Sequence, residues 1–157
     1  MTVLRPFNTY GPRQSTRAVL PTILVQLLQG AEEIELGRVD TRRDLTFVGD
    51  TVDGFVRAAL SNEAVGQTIQ LGTNRSHSVK ELFETACRVV GRTARIRTDP
   101  RRLRPDASEV LVLESDPALA LSLLGWRPSV DLEEGLARTA EWLKSRLDSY
   151  STEYFHV

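Results

Sequence analysis

Two short clusters of arginine residues are the first candidates for chemistry in this chain. Arg42 and Arg43 form one cluster, and Arg101, Arg102 and Arg104 form the other. A guanidinium group can grip a phosphate through two parallel hydrogen bonds, so the clusters indicate a site for an anionic ligand. The alternative is that these side chains simply cover a solvated surface, as most arginine side chains do.

The other reactive side chains indicate no metal centre and no disulfide. Cys87 is the only cysteine, and its place on the apolar face of a predicted helix is typical of a buried structural thiol. His77 and His156 lie far apart in the sequence, and neither adjoins a cysteine. A zinc site therefore has no support.

The elements that must position the arginines alternate irregularly between strand and helix. Apolar periodicity, caps and glycine stops predict strands near residues 2–5, 33–36, 43–48, 68–71 and 94–97. The same signals predict helices near residues 19–29, 50–60, 79–90, 116–125 and 131–147. These elements predict an α/β or mixed α and β fold, and residues 6–15 are expected to form a loop.

One predicted helix and two predicted strands carry more specific expectations. In the helix of residues 50–60, Asp50 or Thr51 should be the cap, and Phe55, Val56 and Ala59 should face inward. The apolar strands of residues 2–5 and 68–71 should need helices on both faces and further strands beside them. The chain does not obviously supply those strands, so the sheet should pair with another chain or belong to a larger sheet.

Length and composition are those of an ordinary globular protein. The chain has 157 residues, 41% hydrophobic and 26% charged, with a net charge of −1. We expect one folded region over residues 1–148 and a loose tail over residues 149–157. With no long apolar run and no cleavable leader pattern, we expect a cytoplasmic protein with neither a membrane nor a nucleic-acid partner.

Several motifs occur in a fixed order. They are Arg5–Gln14 (RPFNTYGPRQ), Arg43–Asp50 (RDLTFVGD), Arg104–Glu109 (RPDASE), Leu124–Pro128 (LGWRP) and Leu132–Leu136 (LEEGL). In this order and spacing they resemble the extended short-chain dehydrogenase/reductase family, which contains nucleotide-sugar epimerases, 4,6-dehydratases and decarboxylases. The similarity is greatest to NAD-dependent 4,6-dehydratases that act on UDP-N-acetylhexosamines. The resemblance implies a partial Rossmann-type sheet, made of its last strands only, with a small mixed α/β substrate-binding domain.

The resemblance also implies a substrate site for a nucleotide sugar, most readily a UDP-sugar. Asn8 matches the family asparagine beside the substrate diphosphate, and an amide can donate to phosphate without adding charge. Arg43 and Arg104 match two arginines that grip the same diphosphate. Glu109 stands where some relatives hold the ribose hydroxyls, and residues 34–37 would approach the base of the nucleotide.

Four further positions follow from the same resemblance. Pro6 and Phe7 would line the nicotinamide end of the NAD pocket. Leu20 and Pro21 would border the nucleotide-sugar cleft. Tyr10 belongs to the Tyr-Gly-Pro turn and is not the catalytic tyrosine of the family.

Two family motifs have no counterpart among these 157 residues. No glycines take the Gly-x-x-Gly-x-x-Gly spacing that holds the cofactor pyrophosphate, and no Tyr-x-x-x-Lys supplies the base. In the family both motifs precede the R-x-F-N loop. We therefore expect that the chain by itself neither binds NAD nor performs the reaction.

Three functions remain open from the sequence. The chain could be the substrate-binding part of an NAD-dependent epimerase or dehydratase, completed by a missing N-terminal half. It could be a non-catalytic module that binds a nucleotide sugar. It could also be a module whose role is oligomerisation, and in each case we expect a homo-oligomer or a partner that buries the exposed sheet edge.

Overall fold

The computed structural model describes residues 1–102 and 109–150, which group into two compact units. Unit 1 contains Met1–Tyr10, Arg42–His77 and Val112–Leu132. Unit 2 contains the described residues of Gly11–Thr41, Ser78–Leu111 and Glu133–Val157. Each unit therefore combines segments that lie far apart along the chain.

Strands and helices alternate irregularly in the described residues, which confirms the predicted α/β class. The strands are β1 (Val3–Pro6), β2 (Asn8–Tyr10), β3 (Glu33–Leu36), β4 (Arg42–Phe47), β5 (Thr68–Leu71), β6 (Ser76–Ser78), β7 (Arg95–Thr98) and β8 (Val112–Leu113). The helices are α1 (Val19–Leu28), α2 (Val48–Leu60), α3 (Val79–Val90), α4 (Ala118–Leu124) and α5 (Leu132–Lys144). Two 3-10 turns span Pro100–Arg102 and Leu147–Ser149.

A parallel pair of strands, β1 and β5, forms the centre of unit 1. Their register places Val3 opposite Thr68 and Pro6 opposite Leu71. Leu71 is fully buried while Thr68 is exposed, so the strands alternate between a packed face and an open face.

The packed face of this pair is covered by α2 and α4. Its core includes Ala58 of α2, Leu71 of β5, Leu124 of α4 and Trp126, with Leu4 of β1 packed against it. Trp126 is 1% exposed, as expected of a packing anchor.

A second sheet in the described residues is built around β4. Its strand order is β2-β4-β6, and β8 also pairs with β4. Both β2 and β8 run parallel to β4. Strand β2 lies inside the segment that was expected to be a loop. The sequence did not predict this strand, because three residues that pair with a strand more than thirty residues away carry little local signal.

Unit 2 packs α1 against α3 and pairs β3 with β7 in parallel. The capping box predicted at the start of α3 is present, since Ser78 and Glu81 each accept from the other's backbone N–H. Gly91 ends this helix in the left-handed conformation at φ 70°.

The prediction for the orientation of α2 was wrong. Phe55 and Val56 are half-exposed, and the helix turns Thr51, Gly54 and Ala58 inward instead. A Cβ built on Gly54 would lie 2.7 Å from Leu71 Cδ1 and 3.2 Å from Trp126 Nε1, so only small residues fit this contact.

The predicted cap of α2 was also wrong. The helix begins at Val48, and its N-cap residue, Phe47, makes no side-chain capping bond. Asp50 instead accepts from Ser129 Oγ at 2.6 Å and from Val130 N at 3.1 Å.

The first residues of the predicted tail have defined neighbours. Ser149 ends a 3-10 turn, and the ring of Tyr150 lies edge-on to Trp142 with 6.1 Å between centroids. Residues 151–157 lie outside the described part of the chain.

Candidate functional site

The chain changes strand partners at the carboxyl end of β1. Phe7 N–H donates to Leu71 O of β5 at 2.9 Å, and the next residue, Asn8, pairs with Leu45 of β4 instead. In parallel α/β sheets, ligands bind in the crevice that opens beyond the carboxyl ends of strands at such a change. Pro6, Phe7 and Asn8 therefore stand where a ligand crevice is expected.

Asn8 and Arg43 lie on the same face of the second sheet. Asn8 is opposite Leu45, and Arg43 is two residues before Leu45 on β4. Because side chains alternate along a strand, all three point to one side. From standard strand spacings, the Cα atoms of Asn8 and Arg43 are about 8 Å apart.

Neighbouring backbone oxygens orient both side chains. Asn8 Nδ2 donates to Asp44 O at 3.1 Å, which leaves its Oδ1 and second N–H directed elsewhere. Arg43 Nη1 donates to Arg42 O at 2.9 Å. The pair thus presents one amide and one guanidinium at the same place, a combination that suits a phosphate.

Asp44 anchors the opposite face of β4. Its carboxylate is fully buried and accepts hydrogen bonds from the backbone N–H groups of Thr73, Asn74 and Ser115. It also accepts from Thr73 Oγ1 at 2.6 Å and from Ser115 Oγ at 2.5 Å. We call Asp44, Thr73, Asn74 and Ser115 the Asp44 clamp.

The Asp44 clamp fixes β4 to the segment that follows β5 and to the one that follows β8. Charge-assisted hydrogen bonds of this kind compensate the burial of an ionised carboxylate. Since neighbouring side chains of a strand point to opposite faces, holding Asp44 inward holds Arg43 outward. The clamp therefore positions Arg43 without touching the ligand face.

Glycine is required beside the clamp. A Cβ built on Gly72 would overlap Ser115 Oγ, and it would lie 2.5 Å from Ser115 Cβ and 3.0 Å from Asp44 Oδ2. Any side chain at residue 72 would force Ser115 away from Asp44.

Tyr10 and Asp50 are both buried and make contacts within the protein. Tyr10 is 2% exposed, lies edge-on to Phe47, and donates its hydroxyl to Asp131 O at 3.4 Å. The backbone oxygen of Asp50 accepts from Trp126 Nε1 at 2.9 Å.

The remaining predicted site residues lie in unit 2 or outside the described residues. Leu20 and Pro21 lie in the first turn of α1 and are buried. Glu109 is half-buried. Arg104 falls among residues 103–108, which are outside the described part. The roles of these four residues stay predictions.

The second arginine cluster is largely engaged within the protein. Arg101 Nε and Arg102 Nε lie 3.0 Å and 3.2 Å from the two carboxylate oxygens of Asp99. The hydrogen bonds from Arg101 lower the pKa of Asp99 to about 2. This ion pair is a local function for Arg101 and Arg102 that the sequence did not reveal.

Residues 34–37, which were expected to approach the base of the nucleotide, adjoin this ion pair. A Cβ built on Gly37 would lie 2.5 Å from Arg102 O, so the backbone of residues 37 and 102 touch.

Two classes of feature receive no support from the described residues. No group of three or more His, Cys, Asp and Glu side chains is arranged to hold a metal ion in residues 1–102 and 109–150. Within the same ranges, no helix combines the length and the apolar character needed to cross a membrane.

Similarity to known proteins decides the family. Residues 1–139 match the family described as GDP-mannose 4,6-dehydratase. The chain belongs to this family. The resemblance to nucleotide-sugar epimerases and dehydratases is thereby confirmed.

Members with known sequences or structures carry several chemistries. UDP-glucuronic acid decarboxylase 1 of Xenopus tropicalis is 31% identical over an alignment of 161 positions, which covers 98% of this chain and 35% of that protein. The structure of UDP-glucose 4-epimerase from Thermotoga maritima, solved with UDP-glucose, has a TM-score of 0.81 at 31% identity and covers 93% of this chain and 46% of that one. The UDP-glucuronic acid 4-epimerase from Bacillus cereus, solved with UDP-glucuronic acid and NAD, has a TM-score of 0.81 at 25% identity. The match covers 92% of this chain and 45% of that one.

These values also fix how much of the family fold is present. The chain spans between 35% and 46% of the length of these three proteins. The family fold is Rossmann-type, and the parallel strands of unit 1 are part of such a sheet.

The described residues fit only part of an NAD site. Pro6 is the last residue of β1 and Phe7 follows it, at the place where the resemblance puts the nicotinamide wall. A dinucleotide also needs free backbone N–H groups at a helix start for its pyrophosphate. Among the described helices, α2 follows β4 directly and carries Asp50 in its first turn, while α3 is closed by the capping box of Ser78 and Glu81. These two junctions do not fit the pyrophosphate.

Proposed function

We propose that this chain is the nucleotide-sugar-binding part of an NAD-dependent epimerase or dehydratase. The single observation that carries the proposal is the placement of Asn8 and Arg43 on one face of the second sheet, with Asn8 just beyond the carboxyl end of β1. An amide and a guanidinium at this separation can donate to different oxygens of one diphosphate.

The Asp44 clamp supports the same proposal. Binding a flexible diphosphate is favoured when the donors are held in place beforehand, because less side-chain freedom is lost on binding. Asp44 fixes β4 through five donor groups from three residues, and its own backbone oxygen orients Asn8. A strand held in this way carries Arg43 as a fixed cation.

The proposed ligand is a UDP-sugar. The Thermotoga and Bacillus epimerases were solved with UDP-glucose and UDP-glucuronic acid, and the Xenopus relative is a UDP-glucuronic acid decarboxylase. Because these relatives differ in reaction, the proposal covers the UDP-sugar and leaves the reaction class open. NAD supplies hydride transfer in the family, and the proposal assigns this chain alone no turnover.

Calorimetric titration with four ligands tests the proposal. UDP and UDP-glucose should bind, uridine should bind more weakly because it lacks the diphosphate, and NAD should give no heat of binding. Equal affinities for UDP and uridine would contradict a diphosphate site. Binding of NAD followed by epimerisation of UDP-glucose would contradict the proposed division of roles.

A further inference from the structure

Strand β8 exposes apolar side chains. Val112 is 56% exposed and Leu113 is 38% exposed, and the two residues before the strand are apolar and exposed as well. A run of four exposed apolar residues is uncommon in a soluble protein unless the surface binds something. Neither the motifs nor the arginine clusters give this run a role, so β8 is an unassigned candidate for a binding surface.

The register of β8 places its two residues on opposite faces of the second sheet. In the parallel pair with β4, Val112 is opposite Arg42. Leu113 is opposite Arg43. Residues that are opposite each other on neighbouring strands point to the same face, and successive residues alternate between faces. Leu113 therefore shares the face of Arg43 and Asn8, and at the standard strand spacing its Cα atom is about 4.8 Å from that of Arg43.

A second leucine lies on the same face. Leu45 is opposite Asn8 and two residues after Arg43 on β4, which puts it about 6.7 Å from Arg43 along the strand. Both Leu45 and Arg43 are half-buried. Asp44 and Thr46, which point the other way, are fully buried. The face with Arg43 is here the more open of the two, and Arg43 has an apolar neighbour both across the strand pair and along its own strand.

Apolar neighbours change what a guanidinium group can contribute to binding. A charge pair that stands open to water is screened by salt, and it typically contributes little. Side chains that exclude water from the pair strengthen it, and they add their own apolar area to the contact. Leu113 and Leu45 are placed to do both for a phosphate that is bound to Arg43.

We propose that Leu113, together with Leu45, borders the diphosphate subsite. The side chain of Leu113 packs against the bound UDP-sugar beside Arg43 and keeps water away from the ion pair. The inference rests on the proposed function and deepens it, because it adds an apolar binding residue that no motif marks. It also accounts for the exposure of Leu113, since the ligand covers a side chain that the protein leaves open.

Titration of UDP into two neighbouring variants tests the proposal. Leu113→Thr and Val112→Thr each place a hydroxyl group on β8, the first on the face of Arg43 and the second on the opposite face. Leu113→Thr should weaken UDP binding about three- to tenfold, and Val112→Thr should change it by less than about twofold.

The salt dependence of binding separates a ligand contact from a purely structural role. Between about 0.1 M and about 1 M KCl the screening length falls from about 10 Å to about 3 Å. Over this range the affinity of Leu113→Thr for UDP should fall at least about threefold more than that of the wild-type protein, because water and ions reach the ion pair more easily. A leucine that only supports the fold would not change this dependence.

Methyl NMR gives a second readout on the wild-type protein, which holds even where Leu113→Thr fails to fold. The methyl resonances of Leu113 are identified as those missing from the spectrum of Leu113→Met. They should shift when UDP is added and shift less with uridine, whereas the methyl resonances of Val112 should stay in place. Leu113→Met keeps an apolar side chain of similar volume and should bind UDP within about twofold of the wild-type affinity.

The outcomes distinguish this proposal from the proposed function. UDP binding that depends on Arg43 but is the same in Leu113→Thr at both salt concentrations would overturn the proposal and leave the proposed function standing. Unshifted Leu113 methyl groups at saturating UDP would have the same consequence. If the wild-type protein binds UDP no more tightly than uridine, the proposed function fails and this inference fails with it.

Discussion

The contact between Gly72 and the Asp44 clamp allows a quantitative prediction. In Gly72→Ala the new methyl group would overlap Ser115 Oγ, and Ser115 is held by two hydrogen bonds to Asp44. Overpacking costs about 1–3 kcal/mol, and a lost hydrogen bond to a charged group costs about 1.5–3 kcal/mol. We expect Gly72→Ala to lower the free energy of unfolding by about 2.5–6 kcal/mol.

A double-mutant cycle isolates the cause. Ser115→Gly removes the atoms that the methyl group would meet, so Gly72→Ala should cost only about 1 kcal/mol in that background, from the remaining contact with Asp44. The coupling free energy should therefore be at least about 1.5 kcal/mol. Gly49→Ala is the matched control, because its Cβ would make only an ordinary 3.4 Å contact with Phe47.

The two tryptophans make the assay specific. Trp126 lies in the core of unit 1 and Trp142 lies in unit 2, so Trp126 fluorescence in a Trp142→Phe background reports urea unfolding of unit 1. Additive effects of Gly72→Ala and Ser115→Gly, within about 0.5 kcal/mol, would refute the steric argument.

Three further predictions concern other parts of the chain. Gly37→Ala should lower the urea midpoint of unit 2, read from Trp142 fluorescence, because its Cβ meets Arg102 O; an unchanged midpoint would contradict the contact. The pKa of Asp99 in the folded protein, about 2, lies below the usual value in an unfolded chain. The stabilisation that ionised Asp99 gives the folded state is therefore complete above about pH 4 and is lost as pH falls toward 2. Asp99→Asn should remove that part of the pH dependence of unfolding. Asp50→Ala should lower the unfolding free energy by about 1.5–3 kcal/mol, and a change below about 0.5 kcal/mol would mean that its two bonds contribute little.

Local signals predicted much of the fold from the sequence. The strands Glu33–Leu36 and Thr68–Leu71 have the predicted bounds, and the capping box of Ser78 and Glu81 was found at the right residue. These features depend on neighbouring residues only. Alternation of side chains and caps is therefore enough to predict them.

Features that depend on distant residues were missed. The inward face of α2 is set by Leu71 and Trp126, which leave room for Gly54 but not for Phe55. Hydrophobicity alone favoured Phe55 as the inward residue. Apolar character therefore predicts a buried face poorly where two backbones approach closely.

The candidate site was predicted only in part. Asn8 and Arg43 were identified through family motifs, but their common face depends on the pairing of β2 with β4. The Asp44 clamp had no sequence signal, since its donors come from residues 73, 74 and 115. The ion pair between Asp99 and Arg101 likewise could be seen only in the structure.

Titration of UDP into two neighbouring arginine variants tests the central claim most directly. Arg43 shares a face with Asn8, whereas Arg42 points to the opposite face and donates to Ser76 O at 2.8 Å. Arg43→Ala and Arg42→Ala remove the same charge one residue apart. We predict that Arg43→Ala weakens UDP binding by about 1.5–3 kcal/mol, roughly 10- to 150-fold, while Arg42→Ala changes it by less than about threefold. Equal losses in both variants, or no loss in Arg43→Ala, would contradict a diphosphate site on this face.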